Sequence, residues 1–232
     1  MGFCSRSQAF GLIRAGRVRL KGVVSKNPEA AVRLGKDRIE VDGVEVKRAE
    51  RIYWMLNKPR GLVTTAEDEQ GRETVYAALP SGLPWMAAVG RLDKASEGLL
   101  LFTNDSQWAA RVTAPESHLA KIYHVQIASV ADVSLLSGLV NGVRCEDGEV
   151  LRAKQAALIR TGEKNSWIEI VLDEGKNRQI RRMLEACGVE VFRLIRVAVG
   201  PLELGQLEKG KARELTPDEK EQLQRALKNA AL

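Results

Sequence analysis

The sequence holds a charged loop, Gly90-Arg91-Leu92-Asp93-Lys94-Ala95-Ser96-Glu97-Gly98, between two apolar runs at residues 85–89 and 99–102. Short apolar runs bounded by turn residues read as strands. A polar loop held by rigid strands is a common carrier of catalytic groups. The same residues also suit a surface turn in which Arg91, Asp93 and Lys94 form ordinary ion pairs, which are cheap. The loop alone does not decide between these readings.

Around it, strands and helices alternate irregularly. Ser5-Arg6-Ser7-Gln8 fits a capping box that opens a helix over residues 6–15, and Gly16 stops it. Val18-Arg19-Leu20 alternates as a strand, and Asp42-Gly43 between Ile39-Glu40-Val41 and Val44-Glu45-Val46 signals a hairpin. Residues 51–56, 99–102, 120–127 and 167–172 read as strands. Residues 107–112, 130–139, 177–186 and 217–229 read as helices. Such a mixture predicts an α+β fold with a mixed, mostly antiparallel sheet. A polar linker at residues 47–50 sets off a small basic α/β unit, residues 1–47, from a larger domain, residues 48–232.

With 44% hydrophobic residues in 232, the chain can bury a core. Its net charge of +6 favours a polyanionic partner. Residues 1–28 carry Arg6, Arg14, Arg17, Arg19, Lys21 and Lys26 without an acid. That points to nucleic-acid docking rather than a merely solvated face, on which both signs are normally interleaved. No run approaches the ~18 apolar residues of a membrane span, and the start lacks a signal peptide's apolar region. A cytosolic protein with no membrane partner is expected. Cys4, Cys145 and Cys187 are too scattered for a disulfide framework or zinc pairs, and the two histidines leave little for a metal centre or a serine triad. No metal is expected, and catalysis would rest on carboxylates and basic residues.

Gly90-Arg91-Leu92-Asp93, followed by Ser96-Glu97-Gly98-Leu99-Leu100-Leu101-Phe102-Thr103-Asn104-Asp105, is similar nearly residue for residue to the nucleophile motif of the bacterial ribosomal-RNA pseudouridine synthases. Lys58-Pro59-Arg60-Gly61 resembles that family's Lys-Pro-x-Gly turn, and Lys121-Ile122-Tyr123-His124-Val125 its Lys-x-Tyr-x-Val strand. The segment from Glu174 through Gln179-Ile180-Arg181-Arg182-Met183 resembles its Glu-Gly-x-x-x-Gln-Ile-Arg-Arg-Met segment, and Leu194-Ile195-Arg196 its closing Leu-x-Arg. The order helix, glycine, Arg17-Val18-Arg19-Leu20-Lys21-Gly22 resembles the S4-type RNA-binding module. That module normally starts with a further helix. Only residues 1–4 precede the Ser-Arg pair here, so either the true start lies upstream or the module is shortened.

The resemblance implies that ribosomal RNA is the partner, that no cofactor is needed, and that Asp93 is the catalytic carboxylate. It implies that Arg181 keeps Asp93 charged and that Tyr123 lies against the target base, although an aromatic on a strand is equally a core residue. Arg91, Leu194 and Gln179 belong to the substrate pocket. Lys58 and Arg60 position phosphate or loops, and Lys176, Arg178 and Arg182 form a basic face, with Arg178 and Arg182 read as exposed. The isomerisation admits no outside atom or electron, which fits the lack of dinucleotide and Walker glycine patterns. Large-subunit RNA is favoured over small-subunit RNA as substrate. A non-catalytic RNA-binding or ribosome-assembly factor on the same fold is the rival reading, and a monomer is expected.

Overall fold

A computed structural model describes residues 3–33, 35–47 and 49–229. Helix α1 (Arg6–Arg14) begins as its sequence demands. The Gln8 N–H donates to Ser5 Oγ at 3.1 Å, and Gln8 Oε1 accepts from the Ser5 N–H at 3.0 Å. Strands β1 (Val18–Leu20), β2 (Val23–Val24), β3 (Ile39–Val41) and β4 (Val44–Glu45) follow in an antiparallel sheet of order β2-β1-β3-β4. The β3–β4 turn takes Asp42 and Gly43 to φ 50° and 82°, the left-handed pair that a two-residue hairpin requires. This unit buries little: Val18 and Val41 are its buried apolar residues among those described, and α1 buries none fully.

The rest builds a nine-stranded sheet. Its elements are β5 (Tyr53–Lys58), β6 (Ala87–Val89), β7 (Glu97–Thr103), α2 (Ser106–Thr113), β8 (Lys121–Ile127) and α3 (Val133–Asn141). A small hairpin follows, β9 (Val143–Arg144) and β10 (Val150–Leu151). Then come β11 (Gln155–Thr161), β12 (Ser166–Leu172), α4 (Gln179–Ala186), β13 (Val191–Val199), β14 (Leu202–Glu203), β15 (Ala212–Glu214) and α5 (Pro217–Asn229). The strand order is β11-β12-β8-β13-β7-β5-β15, with β14 beside β13 and β6 beside β7. Every pairing is antiparallel except β13 with β7, so the α+β fold with a mixed, mostly antiparallel sheet forms as expected.

Strand β7 is buried along its whole length because both faces are covered. Leu100 and Phe102 enter one core with Val125, Ile168, Ile170, Ile180 and Met183, while Leu99 and Leu101 enter a second with Trp108, Val112, Leu202 and Leu223. Strand β8 alternates buried and half-buried residues, so it has one covered face. At the parallel junction Arg196 lies opposite Gly98, whose φ is 100°. A Cβ on Gly98 would stand 2.2 Å from the Arg196 carbonyl oxygen, so only glycine fits. That close approach brings the end of the 90–98 loop against β13.

Candidate active site

The charged loop and the Lys58–Gly61 turn form one structure. Lys58, at the end of β5, is fully buried, and its ammonium donates to the carbonyls of Pro59 (3.1 Å), Asp93 (3.2 Å) and Ser96 (2.8 Å). The Gly61 N–H donates to Lys94 O at 2.8 Å, the Thr64 hydroxyl to Leu92 O at 2.7 Å, and Arg181 Nη2 to Ala95 O at 3.2 Å. The loop carbonyls are thus held from beneath. Burial pushes the Lys58 ammonium down to about 8, opposed by Glu97 and Asp93. Lys58 therefore cannot meet RNA phosphate, and of its two expected roles only loop positioning remains.

A cavity of about 530 Å³ opens above this loop, lined by Asp93, Arg91, Tyr123, Arg178, Arg181 and Leu194 among others. The Asp93 side chain is 38% exposed, with Arg178 Nη1 at 3.9 Å from its Oδ2. The expected partner Arg181 lines the same cavity but bonds the loop backbone, and its Nε is buried without a partner among the described residues. Burial and then Arg178 lower the Arg181 pKa, and Asp93 acts the other way. The ion pair within 4 Å is therefore with Arg178, which is exposed as expected and adds a contact to Asp93 that its place on the basic face did not imply. A left-handed backbone, φ 48°, sets it at the N-cap of α4.

Tyr123 and Leu194 both belong to the first core and both line the cavity. Gln179 is 2% exposed and makes three hydrogen bonds. Its Nε2 donates to Arg152 O (3.0 Å) and Glu174 Oε1 (2.6 Å), and its Oε1 accepts from the Lys176 N–H (3.3 Å). It lines the cavity, as expected, and these bonds fix its side chain in the wall.

The basic residues divide. Arg182 is held by Asp147 and by Glu149 (2.9 Å), and Lys176 by Glu149 (3.1 Å) and Glu174 (3.5 Å), so neither presents the bare charge expected of it. In the N-terminal unit Arg17 pairs with Asp42, and Lys21 with Asp37 at 3.4 Å. The acid-free stretch meets its acids from residues 37–42. Arg6, Arg14 and Arg19 are exposed and make no ion pair among the described residues, while Arg14 lies 4.6 Å over the Phe10 ring. Arg60 and Arg91 are exposed, and Arg91 lines the cavity.

Two further cations on the cavity wall had no assigned role. Lys121 donates to Leu119 O at 3.1 Å and is lowered by burial and by Arg196; Arg196 Nε donates to Leu99 O at 2.7 Å. Both stand inside recognised motifs. A basic residue in the buried register of a strand was the available signal.

The cavity wall carries two carboxylates, Glu174, which is tied to Lys176 and Gln179, and Asp93, among arginines, lysines and an aromatic ring; this is the arrangement of an enzyme that acts on a unit of a polyanion by nucleophilic or acid–base chemistry. The RNA pseudouridylate synthase family matches residues 52–186, and the chain belongs to that family; it is a pseudouridine synthase, an isomerase. It is 39% identical over 224 residues to the ribosomal large subunit pseudouridine synthase B of Bacillus subtilis, covering 96% of this chain and 91% of that one. It is 36% identical over 227 residues to an uncharacterized RNA pseudouridine synthase of Aquifex aeolicus, covering 97% and 91%. A crystal structure of a pseudouridylate synthase superposes with a TM-score of 0.68 at 31% identity, covering 94% of each chain.

Proposed function

We propose that the protein converts a specific uridine of large-subunit ribosomal RNA to pseudouridine, with Asp93 as the catalytic carboxylate. The observation that carries this reading is the Asp93 carboxylate facing a basic cavity whose wall includes Tyr123 and Leu194. The relative in Bacillus subtilis, a large-subunit enzyme, supports the choice of RNA.

The cavity suits a single flipped-out nucleotide, which a uridine in folded RNA must become before its glycosidic bond can be reached. Tyr123 and Leu194 would hold the base. The carboxylate either adds to the ribose C1′ or takes the proton from C2′, and both routes begin from the same contact. The bond from C1′ to N1 breaks with its electron pair leaving on uracil. Uracil departs as a delocalised anion, so the second carboxyl group that glycosidases use as acid is unnecessary. The base turns and C5 bonds to C1′, which on the first route displaces the Asp93 carboxylate and on the second is accompanied by return of the Asp93-held proton to C2′; the proton displaced from C5 ends on N1. Arg178 and Arg181 balance the negative charge that develops on the leaving base. Residues 1–47 act as an S4-type docking unit that grips RNA through Arg6, Arg14 and Arg19, while Arg60 and Arg91 meet phosphate at the cavity mouth. Such a substrate places the protein with the ribosomes, in the cytoplasm.

The test is carbodiimide mapping of pseudouridine in ribosomal RNA from cells with and without this protein. One large-subunit site present only with the protein is expected. Identical maps contradict the proposal, and a lost small-subunit site contradicts the choice of RNA.

A further inference from the structure

A second cavity, about 360 Å³, shares Arg178 and Arg181 with the first. The rest of its wall is Glu185, the turn Gly188-Val189-Glu190, and Val191 at the start of β13. Arg181 and Glu185 stand four residues apart on one face of α4. From Arg178 to Glu185 the groove follows the helix for about 10 Å, roughly three of the ~3.4 Å rises that separate stacked bases. There is room for a nucleotide beside the one in the first cavity.

The groove changes sign along its length. Beside Asp93 it offers two guanidiniums, one with a buried Nε that has no partner among the described residues. At its far end Glu185 and Glu190 are exposed and make no ion pair among the described residues. A phosphate fits the arginine end and is repelled from the other. What a pair of carboxylates attracts is a donor edge: the amino groups of cytosine, adenine and guanine. Uracil, with two carbonyl acceptors flanking one N–H, is the base least suited to them.

We infer that this groove is a subsite for the nucleotide adjacent to the target uridine, with the intervening phosphate on Arg178 and Arg181 and an amino-bearing base selected by Glu185 and Glu190. The inference rests on the reading that the first cavity receives the target uridine.

The full chain is incubated with unmodified transcripts of the two large ribosomal RNAs, and carbodiimide mapping locates the converted uridine. Transcripts carrying each base at each flanking position are then compared for the wild type and for a Glu185→Gln, Glu190→Gln variant. At one flanking position the wild type is expected to prefer amino-bearing bases over uracil by about tenfold in kcat/KM, mainly through KM. The variant, whose amides can donate to a uracil carbonyl, is expected to narrow that ratio to about twofold or less. Wild-type indifference to the neighbour, or a preference that the variant retains in full, overturns the inference. Conversion of no uridine at all removes the reading beneath it, a result distinct from conversion without preference.

Discussion

Lys58 shows how a residue's role changes once its surroundings are known. The sequence presents it as one more cation, yet it is fully buried and spends its three donors on carbonyls of the loop that bears Asp93. Its folded pKa of about 8 lies below the ordinary value of 10.5. Between those pH values the unfolded chain binds the proton that the folded chain has lost, so this group makes stability rise with pH in that window. The stability of the wild type relative to Lys58→Met is expected to increase by roughly 2 kcal/mol between pH 8 and pH 10 in urea titrations. A constant difference across that range contradicts the assignment. Gly98 makes a steric claim. With a Cβ destined for 2.2 Å from the Arg196 oxygen, Gly98→Ala is expected to cost about 3 kcal/mol of stability by the same measurement; a loss below about 1 kcal/mol would mean that the β7–β13 junction gives way. The Asp93 loop, Tyr123 and Leu194 were legible because contiguous motifs carry them. The ion pair of Asp93 with Arg178 was not, since it depends on a left-handed backbone at one residue.

Among the elements, those with a strong local signature came through: the capping box of α1, the Asp42-Gly43 hairpin, and the alternation of β8. Two long strands did not. Strand β11 is an edge strand exposed along nearly all its length, so it carries no buried pattern to read. In β13 the sequence Val191-Phe192-Arg193-Leu194-Ile195-Arg196-Val197-Ala198-Val199 places its polar residues, Arg193 and Arg196, three positions apart rather than two, so only its Leu194-Ile195-Arg196 motif is legible. Helix α3 begins at Val133, later than residue 130, because Asp132 caps it by accepting from the Leu135 N–H at 2.7 Å. The N-terminal unit carries the clearest revision. Its sign purity along the sequence is lost in space, where Asp37 and Asp42 pair with Lys21 and Arg17. Replacing Arg14 and Arg19 with Ala is therefore expected to reduce the salt slope of RNA binding by about 1 to 2, and adding Arg17→Ala to change it little further. Filter binding across a salt series measures this; an unaltered slope in the double variant would move the docking surface elsewhere.

At the scale of the whole molecule, one sheet brings together what the sequence scatters over more than a hundred residues. The Asp93 loop precedes β7, Tyr123 stands on β8, Arg181 on α4 and Leu194 on β13, and the parallel pairing of β13 with β7 closes them around one cavity. The ordered motifs already implied this family. Geometry added the division of labour: buried Lys58 and Gln179 hold the frame, Lys176 and Arg182 are occupied by acids, and Arg178 joins Arg181 beside the carboxylate. The central claim is that a single carboxylate performs the isomerisation. Asp93→Asn keeps the side chain's shape and removes its charge, and the measurement is pseudouridine formed in large-subunit ribosomal RNA by equal amounts of wild-type and variant protein. The variant is expected to bind the RNA within about threefold of wild type while its rate falls by at least about a thousandfold. Turnover by Asp93→Asn within about tenfold of the wild type would contradict the account.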